Sequence, residues 1–154
     1  QIVQLLLKQK NISINYSSQY CIYSKELGAI LIMNQSPLHL AVEKQNIEIL
    51  KCLLKEKSIE INIIEESQIE QLEFFQKTAL HIAIEKGNYE IVQLLLDNQI
   101  NQSINYRHYR YCFVYDAPSY YEDLEINSPL KHAYKYSNYK IIGLLLKNKA
   151  CLIQ

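Results

Sequence analysis

Short aliphatic segments with helical spacing recur four times along the chain. The four are Ile2–Leu7, Ile49–Leu54, Ile91–Leu96 and Ile141–Leu146. Within each segment the apolar side chains fall on one side of an α-helix. The pattern therefore predicts four amphipathic helices in a chain that is internally repeated.

A second motif precedes the last three of these helices. It starts on a hydroxyl residue, continues through Leu and ends on Ala: Ser36-Pro37-Leu38-His39-Leu40-Ala41, Thr78-Ala79-Leu80-His81-Ile82-Ala83 and Ser128-Pro129-Leu130-Lys131-His132-Ala133. A Ser or Thr hydroxyl can accept a hydrogen bond from a first-turn amide, and Pro is tolerated at the first helical position. Each motif therefore predicts the start of a further helix, so that a full unit contains two.

A polar turn is predicted between the two helices of each unit. The turns are Gln45-Asn46, Gly87-Asn88 and Ser137-Asn138. Gly87 suits a left-handed residue at the end of a helix, and each Asn can cap the helix that follows. Gln45 and Ser137 are poorer terminators than Gly.

Together these motifs resemble the ankyrin repeat, in which Thr-Pro-Leu-His-x-Ala is followed by a Gly-containing turn and a Val/Ile-Leu-Leu helix. Strand-like steps in the same register follow the second helices, at Ile14-Asn15, Ile61-Asn62 and Ile104-Asn105. The resemblance implies an all-α, ankyrin-type helix-turn-helix solenoid of one partial and three fuller repeats. It also implies structural roles for the motif residues, with His39 and His81 tying helix starts to adjacent backbone. The motif residues are Ser36, Pro37, Leu38, His39, Ala41, Thr78, Leu80, His81, Ala83, Ser128, Pro129, Leu130 and Ala133.

Long insertions separate the units. Successive aliphatic helices start 47, 42 and 50 residues apart, whereas ankyrin units repeat at about 33. We expect one array over residues 1–154, with units at about 1–16, 36–63, 78–106 and 128–154 and insertions at 17–35, 64–77 and 107–127. The insertions occupy the place of the family's finger hairpins. Lengthening such a loop from about 8 to about 23 residues costs on the order of 1 kcal/mol, which the stack tolerates.

The final unit departs from the motif, because Lys131 occupies the His position and His132 follows it. We expect this unit to be less firmly tied to its neighbour. It also ends on Cys151-Leu152-Ile153, whereas repeat stacks need polar end caps. We therefore expect a fragment of a longer chain, with further repeats on both sides.

Composition argues against several functional classes. Sixteen basic residues balance sixteen acidic ones, so no overall charge attracts nucleic acid or an anionic membrane. The longest apolar run, Leu27–Met33, is seven residues long, against the roughly 20 that cross a membrane as a helix. Four widely spaced cysteines without a Cys-x-x-Cys pair indicate reduced thiols in an intracellular protein, which we place in the cytoplasm.

Catalytic signatures are missing from the sequence. Its three glycines, Gly28, Gly87 and Gly143, cannot build a phosphate-binding loop or a dinucleotide fingerprint, and no Gly-x-Ser-x-Gly or His-Glu-x-x-His motif occurs. Cys52 stands where the repeat has a core Leu, which favours burial over a nucleophilic role. We therefore expect no catalytic residue, metal site, cofactor or small-molecule substrate.

The first two insertions contain apolar residues that favour packing. Ala29–Met33 precedes a helix start, and we expect it to cover the flank of the stack, with a docking patch as the alternative. In the second, Ile69, Leu72, Phe74 and Phe75 have near-helical spacing. This predicts a short extra helix that packs on the core.

The third insertion is the strongest candidate for binding, because it concentrates Tyr with the only two Arg residues, Arg107 and Arg110. Tyr and Arg dominate binding hot spots and loop paratopes. The alternatives are that these side chains pack on one another, or that they stack on single-stranded nucleic acid, which the acidic residues that follow disfavour. The tyrosines are Tyr106, Tyr109, Tyr111, Tyr115, Tyr120 and Tyr121.

Fold alone does not give function. The resemblance implies a monomeric scaffold that binds a partner protein through its concave face and finger loops. The variable positions after each motif are expected to face the groove: Glu43, Lys44, Glu85, Lys86, Lys135 and Tyr136. The alternatives are a substrate-recognition or regulatory arm of an enzyme that lies outside this fragment, a structural spacer, and a nucleic-acid binder.

Overall fold

The computed structural model describes residues 2–9, 12–24, 29–69, 73–98, 110–113, 121–122 and 128–150. Helices in these ranges are α1 (Ile2–Leu7), α2 (Pro37–Glu43), α3 (Ile47–Leu54), α4 (Ala79–Glu85), α5 (Tyr89–Asn98), α6 (Pro129–Lys135) and α7 (Tyr139–Lys147). Strands are β1 (Ser18–Ser24), β2 (Ala29–Gln35), β3 (Ile64–Ile69), β4 (Glu73–Thr78), β5 (Arg110–Phe113) and β6 (Tyr121–Glu122). The order repeats as a hairpin followed by two helices.

Paired helices stack into two rows, which confirms the predicted helix-turn-helix array. The inner helices α2, α4 and α6 pack on one another in order, and the outer helices α1, α3, α5 and α7 do the same. The motif leucines Leu38, Leu80 and Leu130 are buried between the rows, together with the aliphatic faces of α3, α5 and α7. One continuous apolar core therefore holds the units together.

The predicted caps and turns are confirmed in each complete unit. Helices α2, α4 and α6 begin after Ser36, Thr78 and Ser128. The side chains of Asn46, Asn88 and Asn138 accept hydrogen bonds from the amides of Ile49, Ile91 and Ile141 at 3.0, 3.1 and 3.2 Å. The turn residues are left-handed in all three units, with φ of 52° at Gln45 and Ser137 and 67° at Gly87.

Replacing a strained turn residue by Gly is expected to stabilise the array. A residue with a Cβ loses on the order of 1 kcal/mol in the left-handed region, so Ser137→Gly should raise the free energy of unfolding by about that amount. Gln45→Gly should gain less, because the Gln45 side chain also accepts from Asn88 at 3.0 Å. Urea unfolding at pH 7 measures both, and Ser137→Ala, which keeps the Cβ, is the matched control that should gain nothing.

The insertions form three finger hairpins, β1–β2, β3–β4 and β5–β6, which join side by side. The second strand of one finger pairs with the first strand of the next, giving the order β1-β2-β3-β4-β5-β6 with every pair antiparallel. The helical array therefore carries a continuous six-stranded sheet within the described residues. The family resemblance placed fingers here, but the joining of the fingers into one sheet was not predicted.

The helix expected in the second insertion was wrong. Ile69 lies in β3, whereas Phe74 and Phe75 lie in the next strand, β4; Leu72 lies outside the described residues. The near-helical spacing spans two strands that pair with each other and with the neighbouring fingers. These long-range ladders satisfy the backbone, and a local periodicity cannot reveal them.

The apolar run of the first insertion lies in strand β2. Its backbone pairs with β1 on one side and β3 on the other. Ile30 remains 52% exposed and Met33 is half-buried. The run is thus an internal strand of the sheet.

Candidate partner-binding surface

Each inner helix ends in two variable positions, which we call the first and second groove positions. The first are Glu43, Glu85 and Lys135, and the second are Lys44, Lys86 and Tyr136. All three second groove positions are exposed, whereas the two glutamates of the first are half-buried. In α2 and α4, the side chain at the first groove position is therefore less exposed than the side chain at the second.

Glu85 joins three parts of the array. Its Oε1 lies 2.6 Å from Nζ of Lys77 in β4 and 3.0 Å from Nε2 of His132 in α6, and it accepts a 3.4 Å hydrogen bond from the Tyr136 hydroxyl. Burial raises the pKa of Glu85, but the His132 hydrogen bond and the Lys77 charge outweigh it and lower the pKa to about 2. Glu85 therefore links a finger, its own helix and the next unit.

Glu43 makes a simpler contact between units. Its Oε1 accepts from Nζ of Lys86, the second groove position of the next unit, at 2.7 Å. Both side chains keep about a third of their surface exposed, so this ion pair contributes at most about 1 kcal/mol.

His132 corrects the expectation that the final unit is weakly tied. Its ring is buried, contacts Glu85 and lies edge-on to His81 at 5.4 Å between centroids. Lys131 leaves its own side chain exposed, while its amide donates to the Ser128 hydroxyl at 3.2 Å. The shift of His by one position thus replaces a contact at the helix start with one to the preceding unit.

The two motif histidines hold the starts of their own helices. Nδ1 of His39 lies 2.7 Å from the Ser36 hydroxyl and accepts from the Ser36 amide at 3.4 Å; His81 and Thr78 repeat this at 2.9 and 3.4 Å. Burial lowers the pKa of His39 to about 4, with the backbone of Ile63 and Lys77 acting in the opposite direction. His39 is therefore a neutral, structural residue at pH 7.

A buried acid at the base of the second finger was missed by the sequence analysis. Glu65 in β3 is 4% exposed, and its Oε1 accepts from Gln35 at 3.1 Å. Burial raises its pKa to about 7, opposed by the Gln35 hydrogen bond and the Lys77 charge. No pattern in the sequence indicates this burial, because Glu65 belongs to an acidic stretch of the kind found in solvated loops.

The finger tyrosines are only partly visible in the structure. Tyr106, Tyr109, Tyr115 and Tyr120 lie outside the described residues. Tyr111 lies in β5, in register with Phe74 of β4, and Tyr121 lies in β6, in register with Phe113. Two of the six tyrosines are thus placed on the strands of the third finger.

At the other end of the inner row, Lys44 borders an apolar groove between α1, α2 and α3. Its volume is ≈ 360 Å³, and Leu6, Leu40 and Ile49 contribute to its walls. Cys52 in α3 is a free thiol that is half-buried, less than its predicted core position implied. Its sulfur accepts a weak contact from the Gln4 side chain at 3.7 Å. Cys21 is also a free thiol and is exposed.

A family model for ankyrin repeats in three copies matches residues 1–108 and 68–154, and so spans the whole chain. The chain belongs to the ankyrin repeat family. Ankyrin repeats are generally protein-protein interaction modules and typically non-catalytic. A search of curated proteins returned no match to this ankyrin chain.

Two further observations concern only the described part of the ankyrin array. It contains no group of three His, Cys, Asp or Glu side chains that could hold a metal ion. None of its helices has the length and apolar character required to cross a membrane.

Proposed function

We propose that this ankyrin array binds a partner protein through the concave side of its inner helices and its finger hairpins. The observation that carries the proposal is the 2.6 Å contact between Lys77 of a finger strand and Glu85 of an inner helix. It makes the base of the finger and the end of the helix one continuous surface. A partner that rests on the helices would therefore also reach the fingers.

The exposed chemistry of this surface favours a partner with acidic and apolar groups. The carboxylates of Glu43 and Glu85 are held by contacts between units, in which Lys86 and Tyr136 take part while remaining exposed, and Lys44 is exposed as well. Tyr136 is 46% exposed. Large amphipathic side chains of this kind supply contact area at low entropic cost.

The tyrosines of the third finger complete the proposed surface. Tyr106, Tyr109, Tyr111, Tyr115, Tyr120 and Tyr121 would act as the aromatic anchors, because Tyr is enriched among residues that dominate binding energy. Lys135 at the first groove position of the last unit is exposed and lies next to Tyr136. The groove and the third finger are therefore proposed as one site.

Alanine substitutions separate binding from packing. We expect Tyr136→Ala, and the triple change of Tyr109, Tyr111 and Tyr120 to Ala, to abolish partner capture from cell extract while leaving Tm within a few degrees. Tyr139→Ala is the matched control, because Tyr139 is 80% exposed on outer helix α7, away from the groove, and should retain capture.

Three results would contradict this proposal. Capture that survives both groove and finger changes would place the partner elsewhere. A fall in Tm that explains the lost capture would assign the tyrosines to packing. Recovery of nucleic acid instead of protein in the same eluates would favour the nucleic-acid alternative.

A further inference from the structure

A groove between α5 and α7, which we call the outer groove, lies on the row of outer helices. Its volume is ≈ 610 Å³, and it is lined by Tyr89 of α5 and by Lys140, Gly143, Leu144 and Lys147 of α7. Each of the two helices is packed on its own inner helix, α4 or α6. The outer groove is therefore a feature of the junction between two complete units.

Gly143 opens this groove. It stands in the middle of α7, where α3 has Lys51 and α5 has Gln93. Gly in a helix interior is less stable than Ala, because it loses more conformational freedom on folding. A Cβ at Gly143 would meet no other part of the described chain within 4 Å, so packing within the array does not require Gly. Gly is also used where a ligand approaches the backbone closely.

The charges at this junction differ from those at the preceding one. Between α3 and α5, Nζ of Lys51 lies 3.6 Å from a carboxylate oxygen of Glu90. Between α5 and α7 the equivalent positions are Gln93 and Lys140, so this ion pair cannot form. Lys140 and Lys147 are exposed, and neither has an acidic partner in the part of the chain that the structure describes.

The acidic side chains of α5 are engaged elsewhere. Glu90 contacts Lys51, on the side of α5 that faces α3. Asp97 follows Glu90 by about two helical turns and so lies on the same side, and its Oδ1 accepts a hydrogen bond from Gln93 at 2.6 Å. Leu144, which is 6% exposed, contributes an apolar floor. The outer groove therefore combines an excess of positive charge with an apolar floor.

The two lysines set the spacing of a complementary ligand. Lys140 and Lys147 are two helical turns apart, which is about 10 Å along α7. Carboxylates seven residues apart on a second helix have the same spacing, and the residues three and four positions after the first lie on the same face between them. A long polyanion such as nucleic acid fits less well, because Glu90 and Asp97 on the same row of helices repel phosphates.

We propose that the outer groove binds an acidic amphipathic helix of a partner protein. The inference goes beyond the proposed concave site, since it assigns a second surface on the outer helices. Two carboxylates of the partner helix pair with Lys140 and Lys147. An aliphatic side chain between them packs over Gly143 and Leu144, beside Tyr89. An apolar helix face laid into a groove is a recurrent mode of peptide recognition.

The test uses the 154-residue chain and a synthetic peptide held helical by a lactam bridge on its far side. The peptide has two Glu residues seven positions apart, with Leu three and four positions after the first. We expect saturable binding by fluorescence anisotropy. Replacing both Glu by Lys should weaken it at least ~10-fold, which is about 1.4 kcal/mol. A chain with Lys140→Glu and Lys147→Glu should show the opposite preference between the two peptides.

Gly143→Leu separates a binding role of Gly143 from a structural one. Leu favours a helix more than Gly does, and the Cβ meets nothing in the described array, so Tm should stay unchanged or rise. Affinity for the acidic peptide should nevertheless fall at least ~10-fold, because the side chain occupies the groove. Lys55→Glu is the matched control, since Lys55 is exposed at the position in α3 that Lys147 has in α7, and it should leave the affinity unchanged.

Several results would overturn the inference. These are equal binding of the acidic and basic peptides, unchanged affinity in Gly143→Leu, a loss of affinity in Lys55→Glu, or no detectable binding. A single-stranded oligonucleotide that displaces the peptide would assign the groove to nucleic acid. Concentration-dependent dimers that the Lys140→Glu and Lys147→Glu changes abolish would assign it to a second copy of the chain.

This experiment is independent of the proposed concave site. Tyr136→Ala alters only the inner helices and should leave the peptide affinity unchanged. If the peptide fails while protein capture still depends on Tyr136, only the outer-groove inference falls. If the peptide binds as expected while no concave or finger change affects capture, the concave site falls and the outer groove remains. The two failures are therefore distinguishable.

Discussion

Replacing Glu65 by Gln is expected to stabilise the array at pH 8 by up to about 3 kcal/mol, and to have little effect at pH 4.5. Burial raises the pKa of this carboxyl from 4.5 to about 7. The neutral form is therefore favoured by folding, so its contribution is fully present below pH 4.5 and is lost as the pH rises through 7. A difference of about 2.5 in pKa corresponds to about 3 kcal/mol.

His39 has the opposite effect on how stability changes with pH, over nearly the same pH range. Its pKa falls from 6.5 to about 4, so its contribution is fully present above pH 6.5 and is lost as the pH falls through 4. In the unmodified chain the two groups offset each other between about pH 4.5 and 6.5, and stability should change little there. In the Glu65→Gln variant the contribution of His39 is no longer offset. The free energy of unfolding of this variant should therefore fall steeply as the pH is lowered through this range.

Urea unfolding at half-unit steps from pH 4 to 8 measures both effects. Glu60→Gln is the matched control, because Glu60 is exposed and its change should stay within about 0.5 kcal/mol at every pH. A Glu65→Gln difference that does not grow with pH would show that the carboxyl is ionised in the folded protein across this range.

Replacing Glu85 by Ala is expected to cost about 3 kcal/mol or more at pH 7. The change removes the acceptor shared by Lys77, His132 and Tyr136, and breaking a partly buried ionic network is strongly destabilising. The pKa of Glu85 is lowered from 4.5 to about 2. Its contribution is therefore fully present above pH 4.5 and is lost as the pH falls through 2.

Glu43→Ala provides the matched control, since Glu43 holds the equivalent position one unit earlier. Its pair with Lys86 is about one-third exposed, so the loss should be about 1 kcal/mol or less. Urea unfolding of the two variants at pH 7 compares them directly. Equal losses would mean that the contacts from Lys77 and His132 add nothing to the stability of the stack.

The helices could be predicted from the sequence because their determinants are local. An N-cap hydroxyl, an Asn three residues before the amide it caps and an aliphatic face all lie within one or two turns of chain. Their recurrence in three units identified the ankyrin array, and even the poor terminators Gln45 and Ser137 adopt the expected left-handed turn.

The finger sheet could not be predicted in the same way. Strands β2 and β3 are separated by an entire helix pair, and so are β4 and β5, so their pairing depends on how the stack aligns successive fingers. Ile69, Phe74 and Phe75 therefore gave a false helical period. Local spacing does not encode a partner strand some forty residues away.

The sequence by itself determined the repeated helix pairs, their caps and the family. Only the tertiary structure decided the use of the polar residues between them: Glu85 is fixed by His132 of the next unit, Glu65 is buried beneath Gln35 of the previous finger, and successive fingers pair into one sheet. The physical reason is that helix capping is satisfied within a few residues, whereas burial of a charge and pairing of a strand depend on what neighbouring units place beside them.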